Sequence, residues 1–207
     1  EVGEKIKGFS PGDRVACAGA GYANHAEYNF IPRNLCVKVA DSVHLEQASF
    51  TTVGAIAMQG VRQAEVSIGE NVTVLGLGLV GLLTVQILKA AGCRVLGFDP
   101  DPFKVKLSQE LGCDVSVSSN IHDACKEFTN GRGSDSVIIT ASTKSSEPIR
   151  TAGEISRQKG IVVVVGLVGM EVPRDIYYKK ELDLRLSMSY GPGRYDRDYE
   201  EKGIDYP

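Results

Sequence analysis

Residues 72–99 read VTVLGLGLVGLLTVQILKAAGCRVLGFD, and the fold of the chain follows from this stretch. Val72-Thr73-Val74-Leu75 is a β-branched run that leads without a break into Gly76. Leu79–Ala91 is apolar, free of proline and long enough for a helix. Gly92 supplies the stop, because glycine accepts the positive φ at which helices end. Arg94–Phe98 is a second β-rich run and closes on Asp99.

The turn between the first strand and the helix is Gly76-Leu77-Gly78-Leu79-Val80-Gly81, a GxGxxG pattern. With 23 glycines among 207 residues the pattern alone is weak, and its weight comes from the flanking strand, helix and acid. Gly76 permits the tight strand-to-helix turn. Gly78 lets the backbone approach a diphosphate without a Cβ in the way, and Gly81 allows the helix to lie close on the strand. The free N–H groups and positive dipole end of the helix suit that anion. Asp99 is placed to accept hydrogen bonds from adenosine ribose hydroxyls and to repel a 2′-phosphate, which points to NAD rather than NADP. The bland alternative is a glycine turn that serves only βα packing.

Outward from this unit, strands and helices alternate. Further strands are expected at Asp114–Val117, Ser136–Thr140, Ile161–Val165 and Leu184–Ser189, and helices at Pro102–Leu111, Ile121–Phe128 and Ser146–Arg157. Runs such as IVVVVG are apolar on both faces, as in parallel strands covered on both sides. The fold class is therefore α/β, a Rossmann-type doubly wound parallel sheet of about six strands. Upstream, Pro11-Gly12-Asp13 signals a turn, and Arg14–Ala18, Ala26–Ile31 and Cys36–Val39 read as short strands. Gln47–Glu65 reads as a helix broken or bent near Gly54. The expected division is 1–45, 46–190 and a tail at 191–207.

A net charge of −3 argues against nucleic acid, which needs a basic surface. No window approaches the apolar length of a membrane span, and the first residues hold no apolar signal segment. Five scattered cysteines without a CxxC pair read as reduced thiols, and the expected compartment is the cytoplasm. The missing initiator Met and the charged, Pro- and Gly-bearing close read as a fragment.

Gly12-Asp13-Arg14-Val15, Ala26-Glu27-Tyr28, Ile31-Pro32, the glycine loop, GRGSDSVIIT and GIVVVVGLVG together resemble the medium-chain dehydrogenase/reductase superfamily. Within it, GAIAMQGVRQAEV and SYGPGRYDRDYEEKGIDYP look most like the dehydrogenase halves of bi-domain oxidoreductases from bacterial polysaccharide gene clusters. The resemblance implies that 1–45 is part of a GroES-like catalytic domain and that the tail leads back toward that domain. It also implies that Pro100 and Lys104 lie beside the adenosine ribose. Thr140 and Ala141 would line the adenine and ribose pocket. Gly166, Leu167 and Val168 would meet the nicotinamide carboxamide, and Ser189 and Tyr190, ending the sixth strand, would close that pocket.

Many members of that superfamily hold a catalytic zinc. Here the expected cysteine falls near Thr52, a poor ligand, and the run of four cysteines of the structural zinc lobe is absent, so no metal is expected. His25 is a weak candidate for proton transfer, His44 and His122 read as surface residues, and Cys36 and Cys125 have no visible partner for nucleophilic work. Arg194, Tyr195 and Tyr199 could meet an anionic or sugar substrate, though a flexible tail is the plainer reading. No catalytic residue is named. The implied function is an NAD(H)-dependent, zinc-independent oxidoreductase acting on an alcohol or carbonyl of a sugar-like small molecule, with the fragment alone binding cofactor without turnover. The alternatives are a non-catalytic NAD(H) sensor and an NADPH-dependent quinone reductase. Family members join edge strands, which makes Leu184–Ser189 a candidate homodimer contact.

Overall fold

The computed structural model describes residues 1–204 and divides the chain into two compact units, Glu1–Ala55 with the residues from Tyr190 on, and Ile56–Ser189. The division falls inside the helix that follows residue 50, later than the change of texture at residue 46 implies.

The first unit holds β1 (Val15–Cys17) and β2 (Cys36–Lys38), an antiparallel ribbon with Val15 opposite Lys38 and Cys17 opposite Cys36. The Arg14 guanidinium braces the loop beyond it, donating to the carbonyls of Asp41 at 3.2 Å and Val43 at 2.5 Å. The expected strand at Ala26–Ile31 does not form. Asn29 instead accepts from the Asn24 amide at 3.0 Å and donates back to the Asn24 and Ala26 carbonyls. Such local side-chain bonds give the backbone an alternative to a ladder. Next comes the short α1 (Leu45–Ala48), then α2 (Thr51–Gln63). The break falls at Ser49–Phe50 rather than Gly54, whose N–H donates to the Phe50 carbonyl at 2.7 Å inside an unbroken helix start.

The second unit is the doubly wound sheet. In chain order it runs β3 (Asn71–Leu75), α3 (Leu79–Ala90), β4 (Arg94–Phe98), α4 (Pro102–Glu110), β5 (Val115–Val117), α5 (Ile121–Phe128) and β6 (Ser134–Ile139). It continues through α6 (Glu147–Ile155), β7 (Ser156–Val164), α7 (Arg174–Lys180) and β8 (Asp183–Leu186). The six strands are parallel in the order β5-β4-β3-β6-β7-β8, so the winding reverses between β3 and β6. The four central strands, β3, β4, β6 and β7, feed both faces. Val72, Val74, Val95, Ile138 and Val163 face α2 and α3, while Leu96, Val137, Ile139 and Val162 face α5 and α6. These side chains have no exposure, and each contributes roughly 1.5–3 kcal/mol by leaving water. Among the described residues no helix is long and apolar enough to cross a membrane.

Three element boundaries differ from expectation. The helix placed at Ser146–Arg157 ends at Ile155 and passes directly into a nine-residue strand, with Lys159 at φ 56°. The last strand ends at Leu186, short of Ser189. The segment 191–204 folds into the first unit through α8 (Arg197–Glu200) rather than trailing as a flexible tail. Asp196 caps that helix, and Asn34 Nδ2 donates to the Tyr199 carbonyl at 3.1 Å. Residues 205–207 of the expected tail lie outside the described part.

Candidate functional site

The tips of β3, β4, β6 and β7 meet where the winding reverses. Gly76 stands at φ 100°, and a Cβ there would lie 2.6 Å from the Ala141 nitrogen. A Cβ at Gly81 would fall on the Gly76 carbonyl oxygen and within 2.8 Å of Thr140 Oγ1. These two glycines are therefore demanded by the fold itself. Gly78 is different. Its φ of −71° and ψ of −169° suit any residue, and a Cβ would meet nothing within 4 Å. No described residue of the chain occupies the space that a Gly78 side chain would enter.

Gly78 is also the N-cap of α3 and brings no side-chain cap. The N–H groups of Gly78, Leu79 and Val80 bond nothing among the described residues. Leu79 is half exposed beside them. An uncapped helix start with free amides and an open approach is the arrangement that receives a diphosphate.

Asp99 closes the other side. It is 5% exposed, and its carboxylate accepts from the Leu77 amide at 2.8 Å, the Asp101 amide at 3.0 Å and Lys104 Nζ at 3.4 Å. Three donors leave roughly one of its four acceptor positions for a ligand hydroxyl. The acid thus braces the glycine loop, a task the motif alone does not disclose. Asp101 lies outside the motif too, although an acid directly before Pro102 is a legible helix cap, and it accepts from the Phe103 amide at 2.9 Å. Pro100 lies exposed between the two acids.

Thr140 Oγ1 donates to the Gly76 carbonyl at 2.5 Å, and the Ala141 amide donates to the Leu75 carbonyl at 3.0 Å. A Cβ at Gly166 would fall on the Ala141 carbonyl. Gly76, Ala141 and Gly166 therefore touch backbone to backbone. Leu167 is 80% exposed, with its carbonyl held by the Thr143 amide at 2.9 Å, whereas the Val168 side chain is buried in the core. Tyr190 belongs to the first unit, where its hydroxyl donates to Glu200 at 2.8 Å. Burial, then Glu200, pushes that phenol up to about 12.

The zinc question turns on the donors present. Among the described residues no three His, Cys, Asp or Glu side chains come together as a metal would need. Thr52, at the expected cysteine position, donates its hydroxyl to the Cys17 carbonyl at 3.1 Å. The described residues do not fit a zinc ligand set. His25 and His44 are exposed, and His122 pairs with Glu154 at 2.8 Å. Arg194 is held by Glu200 at 2.8 Å and stacks on Tyr195.

At the opposite ends of the strands, a hollow of about 330 Å³ is lined by cations, of which Arg132, Arg157 and Lys180 have protein partners. Lys180 Nζ donates to the carbonyls of Gly153, Glu154 and Ser156 at 2.7–2.9 Å. Arg132 and Arg157 converge on Asp135.

Comparison with known proteins gives a consistent result. The sequence profile of a family described as zinc-binding dehydrogenase matches residues 80–202. L-idonate 5-dehydrogenase of Vitis vinifera is 28% identical over 222 residues, covering 89% of this chain and 60% of that protein. The crystal structure of 2R,3R-butanediol dehydrogenase from Bacillus subtilis superposes with a TM-score of 0.76 at 24% identity, covering 92% of this chain and 62% of that one. A zinc-binding dehydrogenase structure from Sinorhizobium meliloti 1021, bound to NADP, gives 0.68 at 24% identity, covering 76% and 48%. The chain spans 50–60% of the length of the first curated relatives it matches.

Proposed function

Because the chain belongs to the zinc-binding dehydrogenase family, we propose that it serves an NAD(H)-dependent oxidoreductase acting on an alcohol or carbonyl of a polyol- or sugar-like molecule, without zinc. The observation that carries this reading is Gly78, open to solvent at an uncapped helix start, within one loop of a braced Asp99. The names of the relatives, an idonate and a butanediol dehydrogenase, favour substrates with neighbouring hydroxyls.

When bound, the cofactor supplies hydride acceptance or donation at the nicotinamide ring. The residues of this chain bind and orient it. The free amides of Gly78, Leu79 and Val80 hold the diphosphate, with Gly76 and Gly81 fixing the turn. Asp99 accepts from the ribose hydroxyls, and Lys104 and Pro100 flank it. Thr140 and Ala141 wall the adenosine side. Gly166, Leu167 and Val168 present the end of β7 to the carboxamide, Val168 through its backbone because its side chain is committed to the core. The same reading includes a homodimer through the edge strand β8. A molar mass of one chain by light scattering would remove that part.

The test is calorimetric titration with NADH and then NADPH. NADH is expected to bind more tightly, and Gly78→Val to lower its affinity at least about a hundredfold while leaving the melting midpoint within about 1 °C. A preference for NADPH would move the assignment to the quinone-reductase reading. Binding unaffected by Gly78→Val would reduce the glycine loop to a turn.

A further inference from the structure

The structure sorts the five cysteines into two classes. Cys93, Cys113 and Cys125 are buried, whereas Cys17 and Cys36 are half exposed. In the ribbon of β1 and β2, Cys17 stands directly opposite Cys36. The Ala18 amide donates to the Leu35 carbonyl at 2.8 Å, so the ladder bonds fall on the neighbouring pair and the two cysteines occupy a non-hydrogen-bonded site. Facing residues at such a site have Cα atoms about 4.5 Å apart and side chains on one face. A disulfide accepts Cα separations of about 4.4–6.8 Å. The two sulfurs are 3.8 Å apart and reduced.

We propose that Cys17 and Cys36 are a redox-active pair that forms a reversible disulfide by exchange with a small-molecule disulfide such as oxidised glutathione. One cysteine, as thiolate, attacks the small disulfide. Its S–S bond breaks, a mixed disulfide forms and one small thiol departs with a proton. The second cysteine then gives up its proton and displaces the other small thiol. Two cysteine thiols lose two electrons, and one small disulfide becomes two thiols.

Facing thiols make the second step intramolecular, so the mixed disulfide does not accumulate. Burial, and then the neighbouring Cys17, pushes the Cys36 thiol up to about 11, so its thiolate is scarce near neutrality. The closed bond staples the ribbon next to the start of α2, where Thr52 already grips the Cys17 carbonyl.

The experiment treats the folded chain with oxidised glutathione, quenches with an alkylating agent, and reads intact mass and peptide maps. The expected product has lost two hydrogens and yields one cross-linked peptide joining Cys17 to Cys36, reversed by dithiothreitol. Its rate rises about tenfold per pH unit below the thiol range. Cys17→Ser and Cys36→Ser should each stop at a stable glutathione adduct on the remaining thiol. The oxidised wild type should melt several degrees higher, roughly 3–10 °C, and the double variant should show no redox-dependent shift. Should either variant fold poorly, the wild-type peptide map is decisive by itself. A lasting glutathione adduct in the wild type, no oxidation at these two sites, or a cross-link involving a buried cysteine would overturn the proposal.

Discussion

At the N-terminal ends of β3, β6 and β7, Asp135 and the cations around it are paired with one another, whereas at the C-terminal ends of the same strands the amides of α3 are left without partners. Asp135 is 1% exposed at its side chain and accepts from the Asn71 amide at 2.9 Å, Arg157 Nε at 2.6 Å and Arg132. Burial alone would raise its carboxyl, but these donors outweigh it and hold it below the usual range. At the other end, Gly78 faces empty space and Asp99 is a buried acid. One end is closed by the protein's own ion pairs, and the other keeps helix-start amides without partners among the described residues. Polar character alone does not identify a site. The informative feature is polar groups that the fold positions and then leaves unsatisfied.

That contrast can be broken at either edge. The largest expected effect is Asp135→Ala, which strands Arg157 and the Asn71 amide and should cost about 3 kcal/mol in urea unfolding, with NADH affinity of the folded protein unchanged. A parallel loss of affinity would mean that the two edges are coupled. The same carboxylate sets an acid limit. A group held low in the folded state contributes stability that is present above its unfolded value, about 4, and is lost as pH falls through the folded value. Wild-type stability should therefore decline below about pH 4, more steeply than in Asp135→Asn.

Next in size is Gly81→Ala, whose methyl meets the Gly76 carbonyl oxygen and should cost about 2 kcal/mol. Gly78→Ala, with an ordinary φ and open space, should leave stability within about 0.5 kcal/mol. Equal losses from the two would dissolve the distinction between a glycine the fold needs and one a ligand needs. Asp99→Asn falls between these two. An amide nitrogen cannot accept from the loop, so one brace is lost. Stability should fall by about 1 kcal/mol, and NADH affinity by about tenfold in calorimetry.

The central βαβ unit was legible because its signals agree. Arg94–Phe98 and Ile121–Phe128 fall where periodicity and flanking glycines put them. The edges were less so. Ser156–Gly160 looks like a polar helix end, yet the chain turns to strand at Ser156, whose hydroxyl caps the Ala152 carbonyl at 2.7 Å. Helix α7, seven residues of mixed charge and aromatics, buries only Tyr177 and shows no stripe to read. At the site, the GxGxxG spacing named the glycines but could not separate Gly78 from Gly76 and Gly81, because that difference lies in what each Cβ would strike. The motif placed Asp99 without showing how much of its carboxylate the loop already holds. The facing of Cys17 and Cys36 depends on strand register, which scattered spacing does not report.

The meeting of Gly76 with Ala141 constrains the order in which the molecule can be made. The central pairing of β3 with β6 joins Leu75 to Ile139, across three crossover helices and two intervening strands. A growing chain can wind β3, β4 and β5 from nearby sequence, but the wall opposite the glycine loop does not exist until Ala141 has been synthesised. Such distant closure is the slow event in a parallel sheet. A nascent chain released before that residue carries the whole fingerprint and no crevice, so in biosynthesis the crevice arrives late and all at once.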